Sequence, residues 1–274
     1  MCIRDRGIGE EAKKRIVEHT ERIARALRIR GPFNVQFIVK GSQVYVIECN
    51  LRASRSMPYV SKLRGLNLIE LAAQAILGKD PVIREDAGST LFKHGVKVPQ
   101  FSFMQLDGAD PVLDVEMRST GEVAGFGQTF EEAFVKAMEA VGYSFDLTKV
   151  LVDFQTRTQR AKAIIERLVG MGSLVYVLDS KHKEYLKWLG ETLGRHLKTI
   201  SLEEVIRGRI DLVISTPAPN RSSPPDPESY ELRRRAVEML VPLITNLETA
   251  STFIEVSLNR RRDEALTVTP LGSM

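Results

Sequence analysis

Gln36, Glu48 and Asn50, followed at once by Arg52 and Arg55, are the residues of this chain whose types and spacing could do chemistry. One carboxylate and two amide carbonyls are hard oxygen donors. Mg²⁺ takes such donors, usually one or two carboxylates with substrate phosphates completing the shell. Glu48 could bridge two ions. Guanidinium forks match phosphate oxygens in shape and charge, so Arg52 and Arg55 suit the same anion. The chemistry indicated is the holding of divalent metal against phosphates. The same residues also suit a half-solvated hairpin with a polar rim and a basic surface loop, and spacing alone leaves both readings open.

The element that must position them is a β-hairpin. Two apolar runs flank Gly41-Ser42, a turn signal. Strand alternation puts Val35, Phe37, Val39, Tyr45, Ile47 and Cys49 on a core-seeking face. Asn34, Gln36, Ile38, Val44, Val46, Glu48 and Asn50 take the other. A three-residue loop, Gly41–Gln43, is expected to pair Lys40 with Val44 and to set Gln36 opposite Glu48. Directly opposed Cβ atoms lie about 5 Å apart. Asn50 follows roughly 7 Å along the same face.

Composition bounds the rest. The 274 residues are 43% hydrophobic and 27% charged, which suits a soluble globular chain of about two domains. The net charge of +4 comes from interspersed residues, so it carries no nucleic-acid footprint and only a mild bias toward anionic ligands. Cys2 and Cys49 give no disulfide framework and point to a reducing, cytoplasmic setting. No apolar run approaches the roughly 18 residues that span a bilayer, so no membrane partner is expected. Residues 1–6 lack the apolar core of a secretory signal and do not join the helical pattern after them, so they are set aside as a foreign or mis-assigned start. His19, His94, His182 and His196 are scattered without metal-ligand spacing.

Along the chain, apolar spacing predicts a helix over 10–27, then the hairpin, then helices over 57–63 and 66–77. A strand is expected over 96–103, at an edge or bulge because of Pro99. Residues 116–123 read as a turn entering a short strand. Thr129-Phe-Glu-Glu132 is a capping-box pattern opening a helix with stripe Phe130, Ala133, Phe134, Ala137, Met138 and Val141. From 150 on, strands over 150–154, 174–178, 210–215 and 241–244 alternate with helices around 161–169, 185–189, 201–207, 230–240 and 248–258. That alternation implies a doubly wound parallel sheet, with ligands beyond the carboxyl ends of its strands. The loops Ser180-Lys181 and Ser215-Thr216 fall at such ends. Helix starts favour anions there, and Lys181 adds a charge. The Arg233–Arg235 run reads as a solvated helix face rather than an anion site. The fold class is therefore α/β, with a partial α+β lobe over 7–149 and a parallel-sheet domain over 150–274.

The run Glu48-Cys-Asn50-Leu-Arg52-Ala-Ser-Arg55-Ser-Met-Pro-Tyr-Val-Ser-Lys62, preceded by Asn34-Val-Gln36-Phe, resembles the carbamoyl-phosphate synthetase large chain, in the second ATP-grasp unit that phosphorylates carbamate. The resemblance implies that Gln36, Glu48 and Asn50 bind two Mg²⁺ or Mn²⁺ ions, with Gln36 and Glu48 also on ATP. It implies that Arg52 and Arg55 act on phosphates and on the phosphorylated intermediate. Many family members have Pro where Leu51 stands. Residues 116–123 match the same family and would form a wall of the substrate path, although a purely structural turn is the preferred reading. Ile210–Thr216, the Arg233 run and Pro242–Asn246 resemble the methylglyoxal-synthase-like allosteric domain that closes that chain. There the departures at Asp179–His182 and Ser215-Thr216 leave the effector open.

By this resemblance the chain is a C-terminal portion of an ATP-dependent carbon–nitrogen ligase. It would use ATP and carbamate and supply carbamoyl phosphate to pyrimidine and arginine synthesis, in an oligomer with a glutamine amidotransferase partner. The nucleotide-gripping lobe would precede Gly7, so the chain alone is expected to be inactive. Ornithine activation is expected to be absent, because His94-Gly95-Val96 stands where bacterial relatives carry a glutamate. Two further readings stand beside this one. The first is a regulatory effector-binding module without catalysis. The second is a methylglyoxal-synthase-type lyase using Asp153, Asp179 and Asp211.

Overall fold

The computed structural model describes residues 8–81, 92–100, 108–112, 121–206, 210–218 and 226–260. Readings that fall on residues 1–6, 101–103, 116–120, 207 and 219–225 lie outside the described residues. By contacts the chain forms two compact units. One gathers the described residues of Cys2–Gly95 and Phe126–Ala133; the other gathers those of Val96–Gly125 and Phe134–Thr267.

The smaller unit opens with helix α1 (Glu10–Ala26). Glu10 and Glu11 sit at its positive end and Arg25 at its negative end, the arrangement the helix dipole favours. Ala12 is its buried residue, while Leu27, the last residue of the expected helix, is 55% exposed. The chain turns at Gly31 with φ +130°, and a Cβ there would come within 3.0 Å of the Ile76 side chain. Strands β1 (Asn34–Lys40) and β2 (Gln43–Asn50) form the expected antiparallel hairpin. Helices α2 (Met57–Arg64) and α3 (Leu68–Ile76) follow. Asn67 caps α3 by accepting from the Glu70 N–H.

Strands β3 (His94–Gln100) and β4 (Gly121–Gly127) pair in a two-stranded sheet. The helix start expected at Thr129 is present, with Glu132 reaching back to Gln128 rather than to Thr129 itself. Its Oγ accepts from the Glu132 N–H at 3.1 Å, and the Glu132 carboxylate accepts from the Gln128 N–H at 2.7 Å. Helix α4 (Phe130–Glu139) starts there, and Ala133, Phe134, Ala137 and Met138 of the expected stripe are buried.

The larger unit is built on β5 (Lys149–Phe154), β6 (Leu174–Leu178), β7 (Leu197–Ile200), β8 (Leu212–Thr216) and β9 (Leu243–Ile244). They form a five-stranded sheet in the order β7-β6-β5-β8-β9, with every pairing parallel. Helices α5 (Gln159–Gly170), α6 (His182–Gly194), α7 (Leu202–Ile206), α8 (Pro227–Glu238) and α9 (Leu247–Asn259) cross between or follow the strands. Strand β7 was not expected. It is four residues at the sheet edge with Lys198 and Thr199 exposed, too short and too polar for periodicity to show it. Leu151, Leu178, Ile200, Val213, Leu232 and Ala236 form one buried cluster. Burying each such Leu, Ile or Val contributes about 1.5–3 kcal/mol. Phe145 and Phe253 stack at 4.4 Å, and Phe134 meets both at 6.3 Å. Residues 143–149 also pack into this unit, with Phe145 and Leu147 buried.

Candidate functional site

The hairpin brings Gln36 opposite Glu48, but by a different route from the one expected. The turn has two residues, with Gly41 at φ +61°, and Lys40 pairs with Gln43 rather than Val44. Pairing continues through Phe37↔Val46. The register then shifts to Gln36↔Glu48, so that Ile47 has no partner. One extra residue on β2 is the signature of a β-bulge. It restores the Gln36–Glu48 pair and carries on to Asn34↔Asn50. It also swaps faces on the turn side. Tyr45 lies across from Ile38, and these two are 51% and 55% exposed, so Tyr45 and Ile47 do not join the core face assigned to them.

Asn50 Nδ2 donates to Glu48 Oε1 at 2.8 Å, which holds the amide against the carboxylate and turns its carbonyl oxygen away from it. The Arg52 N–H donates to the Asn50 carbonyl at 2.9 Å, folding the chain back past the strand end. Arg52 and Arg55 are both exposed beside it. Among the described residues no group of three or more His, Cys, Asp and Glu is placed to hold a metal. The hairpin offers one carboxylate and amide oxygens. That set fits a hard divalent ion only if further oxygens come from water or a phosphate-bearing substrate. The donor chemistry therefore fits an ion held jointly with substrate, not a resident structural ion.

At the carboxyl ends of the parallel strands the structure gathers a second polar cluster. Lys181, in a short 3₁₀ turn after β6, donates to Asp153 Oδ1 at 2.9 Å, to Asp226 Oδ2 at 2.5 Å and to Ser229 Oγ at 2.6 Å. Ser215 Oγ donates to Asp153 Oδ2 at 2.8 Å and accepts from Arg233 at 3.2 Å. Arg233 closes on Asp110 through Nε at 2.7 Å and Nη2 at 2.5 Å. Gln155 donates to Asp226 at 3.1 Å and also to Ser229 Oγ. Burial disfavours the charged form of Lys181, yet Asp153 and Asp226 together hold its pKa above the ordinary value. Partial burial opposes charge on Asp226, but Lys181 and Ser229 hold its pKa well below the usual carboxylate range.

Of the residues expected there, Lys181 and Ser215 meet in this cluster. Ser180 instead donates to Glu228 at 2.6 Å, and Thr216 is buried, its carbonyl accepting from the Gln155 N–H at 3.1 Å. Sequence reasoning missed Asp153, Gln155, Asp226 and Ser229 as partners. A signal existed: Asp226-Pro-Glu-Ser229 is a helix-start pattern, and Asp226 caps α8. The Arg233–Arg235 run is not a solvated face. Arg233 is 1% exposed and Arg234 8%. Arg234 donates to the Ala109 carbonyl and to Glu238, and the Tyr230 hydroxyl donates to the Gly108 carbonyl, so α8 pins residues 108–110. The three aspartates of a lyase site do not converge. Asp211 sits at the start of β8 and accepts from the N–H groups of Thr148 and Lys149, at the opposite end of the sheet from Asp153, and Asp179 is exposed. Across those strand lengths the separation is roughly 13 Å.

A cavity of about 320 Å³ opens beside β9, lined by Val98, Pro99, Met138, Tyr143, Leu240 and Leu243 among others, with Gln100, Thr245 and Asn246 as polar members. Among the described residues no carboxylate lines it. The Tyr143 hydroxyl donates to the Leu243 carbonyl at 2.5 Å, and burial pushes its pKa up to about 12. Among the described residues no helix is long and apolar enough to cross a membrane.

Residues 4–101 match a family model described as ATP-grasp in the biosynthetic pathway with Ter operon. The chain is 38% identical over 272 residues to the multifunctional protein URA2 of Saccharomyces cerevisiae, covering 93% of this chain and 12% of that protein. It is 38% identical over 258 residues to the multifunctional protein pyr1-3 of Dictyostelium discoideum, covering 88% and 11%. It is 35% identical over 278 residues to human mitochondrial carbamoyl-phosphate synthase [ammonia], covering 93% and 18%. The chain thus spans less than a fifth of the length of these relatives.

Proposed function

The chain is homologous over nine tenths of its length to a segment of the carbamoyl-phosphate synthases, and from that premise we propose that it serves the ATP-dependent phosphorylation of carbamate. Residues 7–149 are the catalytic part and 150–274 the regulatory part, a division by role that the packing of 143–149 does not oppose. The observation that carries the reading is the bulge-corrected register, which sets Gln36 across from Glu48 with Asn50 bonded to the same carboxylate. Gln36, Glu48 and Asn50 would hold two Mg²⁺ or Mn²⁺ ions against the ATP phosphates, with Gln36 and Glu48 on the nucleotide as well. Bound metal would neutralise charge that builds on the transferred phosphoryl group.

The chain's own side chains have a narrower task. Glu48 fixes the ion position, and Asn50 holds Glu48 in place. Arg52 and Arg55, exposed at the strand end, meet the phosphates and the phosphorylated intermediate. Phosphoryl transfer asks mainly for positioning and charge stabilisation, which such a constellation supplies. The product would feed pyrimidine and arginine synthesis, with ammonia delivered by a glutamine amidotransferase partner in an oligomeric, cytoplasmic enzyme. Replacing the matching segment of the yeast relative with this chain, then assaying ATP-dependent carbamoyl phosphate formation, tests it. Activity that survives Glu48→Gln unchanged would refute the assignment.

A second proposal concerns the strand-end cluster, where Lys181 and Ser215 meet. With Ser180 and Thr216 nearby in sequence, it would take a small phosphorylated or carboxylated effector. Calorimetry with uridine and purine nucleotides, phosphoribosyl pyrophosphate and N-acetylglutamate tests this, and no binding below millimolar concentration would end it.

A further inference from the structure

The strand-end cluster already contains an anion. Asp226 Oδ2 accepts from Lys181 Nζ at 2.5 Å, from Gln155 Nε2 at 3.1 Å, and from the Ser229 hydroxyl at 2.7 Å and N–H at 3.4 Å. Those donors come from three places: the end of β5, the turn after β6 and the first turn of α8. They converge on one carboxylate oxygen.

A helix cap needs far less than this. An N-cap side chain is satisfied by one backbone N–H of the first turn, and Ser229 supplies it. Lys181 is likewise satisfied without Asp226, because Asp153, 1% exposed, already neutralises it at 2.9 Å. Lys181 nevertheless reaches the second carboxylate, and Gln155 turns its amide donor to the same oxygen. An ammonium, an amide N–H, a hydroxyl and a helix N-terminus aimed at one point are what a phosphate or carboxylate ligand meets. Here the ligand position belongs to a side chain of the protein itself, and Asp226 is a third exposed on the outer side of the cluster.

We propose that Asp226 is a built-in competitor: it occupies the seat of an external anion at the strand ends, and an anionic effector binds only by displacing its carboxylate from Lys181, Gln155 and Ser229. This rests on the reading of the strand ends as an effector site and adds a residue that sets its affinity. The charge count supports it. Among the described residues Asp153 and Lys181 pair off, as do Asp110 and Arg233, so Asp226 is the charge that leaves their cluster net negative. An incoming anion meets repulsion as well as an occupied seat until that carboxylate moves.

The test uses the full chain, with inorganic phosphate and pyrophosphate as probes in calorimetry and ³¹P line-broadening. Asp226→Asn keeps a good N-cap and removes the charge. Asp226→Ser also caps well, and it opens space. Both variants are expected to bind pyrophosphate at least tenfold more tightly than wild type, and adding Lys181→Met is expected to abolish the gain. Variants that bind no more tightly than wild type overturn the proposal, as does a gain that survives without Lys181. If wild type binds through Lys181 while the Asp226 variants gain nothing, the competitor is wrong and the effector site stands. If neither wild type nor any Asp226 variant binds, both readings fail together.

Discussion

Arg233 grips Asp110 with two parallel hydrogen bonds, Nε at 2.7 Å and Nη2 at 2.5 Å, while its own side chain is 1% exposed. A guanidinium that deep is tolerable only because a bidentate carboxylate answers it. Its remaining contact, to Ser215, ties the pair to Asp153 and so to Lys181. The segment around Asp110 and the strand-end cluster are therefore joined by consecutive hydrogen bonds.

Removing one member of this pair should cost more than removing both. Asp110→Ala strands a buried guanidinium, and loss of one buried partner costs about 3–5 kcal/mol. The double variant Asp110→Ala with Arg233→Met leaves no uncompensated charge and should recover at least half of that. Urea unfolding followed by circular dichroism measures both. A double variant no more stable than Asp110→Ala would show that the loss comes from packing rather than charge.

The ion cluster also fixes the sign of a pH dependence. Asp226 has its folded pKa depressed below an ordinary 3.8, so its contribution is full above pH 3.8 and disappears as pH falls below that value. Lys181 has its folded pKa raised above 10.5, so its contribution is full below pH 10.5 and lost as pH rises further. Between those limits both contribute fully. The urea midpoint of Asp226→Asn should therefore be less sensitive to acid than that of wild type as pH falls below 3.8. Parallel acid limbs for the two proteins would contradict the assignment.

The hairpin shows how far the sequence could be read. Alternation and the Gly41-Ser42 turn set Gln36 opposite Glu48, the pairing the structure has. The turn length and the bulge at Ile47 were not legible, because two errors of one residue cancelled: a shorter turn shifts the register one way and the extra residue shifts it back. The cost fell on the faces, where Tyr45 went to the wrong side. In the parallel sheet the buried strands declared themselves as apolar runs, whereas β7, with two exposed polar residues among its four, did not. Arg233 misled for a different reason. A basic run on a helix looks solvated until a carboxylate distant in sequence is known to face it, and Asp110 lies 123 residues away.

Loss of the single carboxylate on the hairpin should be far more damaging than loss of its neighbours. In the yeast chimera, Glu48→Gln keeps the shape and the hydrogen-bonding capacity toward Asn50 but removes the charge that draws a divalent ion. Carbamoyl phosphate formation is expected to fall at least roughly a hundredfold. Asn50→Ala, which leaves the carboxylate and frees its rotamer, should cost roughly tenfold and be partly restored by raised Mn²⁺. Equal losses in the two variants would mean that the trio acts through folding rather than through an ion.

Ornithine should not bind this chain. An amino acid with a second ammonium group needs a carboxylate to answer that charge when it leaves water, since an unpaired buried cation is strongly disfavoured. Among the described residues the cavity beside β9 has Val98, Pro99, Met138, Tyr143 and Leu243 in its wall, and its amide and threonine members, Gln100, Thr245, Asn246 and Thr249, carry no charge. Asn246 is further committed, its side-chain oxygen accepting from the Thr249 N–H at 2.7 Å as the cap of α9. His94 and Gly95 bring no acid either. Calorimetry with ornithine up to 10 mM should give no saturable heat, and ornithine should leave the rate of the yeast chimera unchanged. Met138→Glu, which sets a carboxylate in the cavity wall, should create weak millimolar binding if the missing acid is the reason. Saturable binding to wild type would show that an acid outside the cavity wall reaches the ligand, and the argument from the lining would fall.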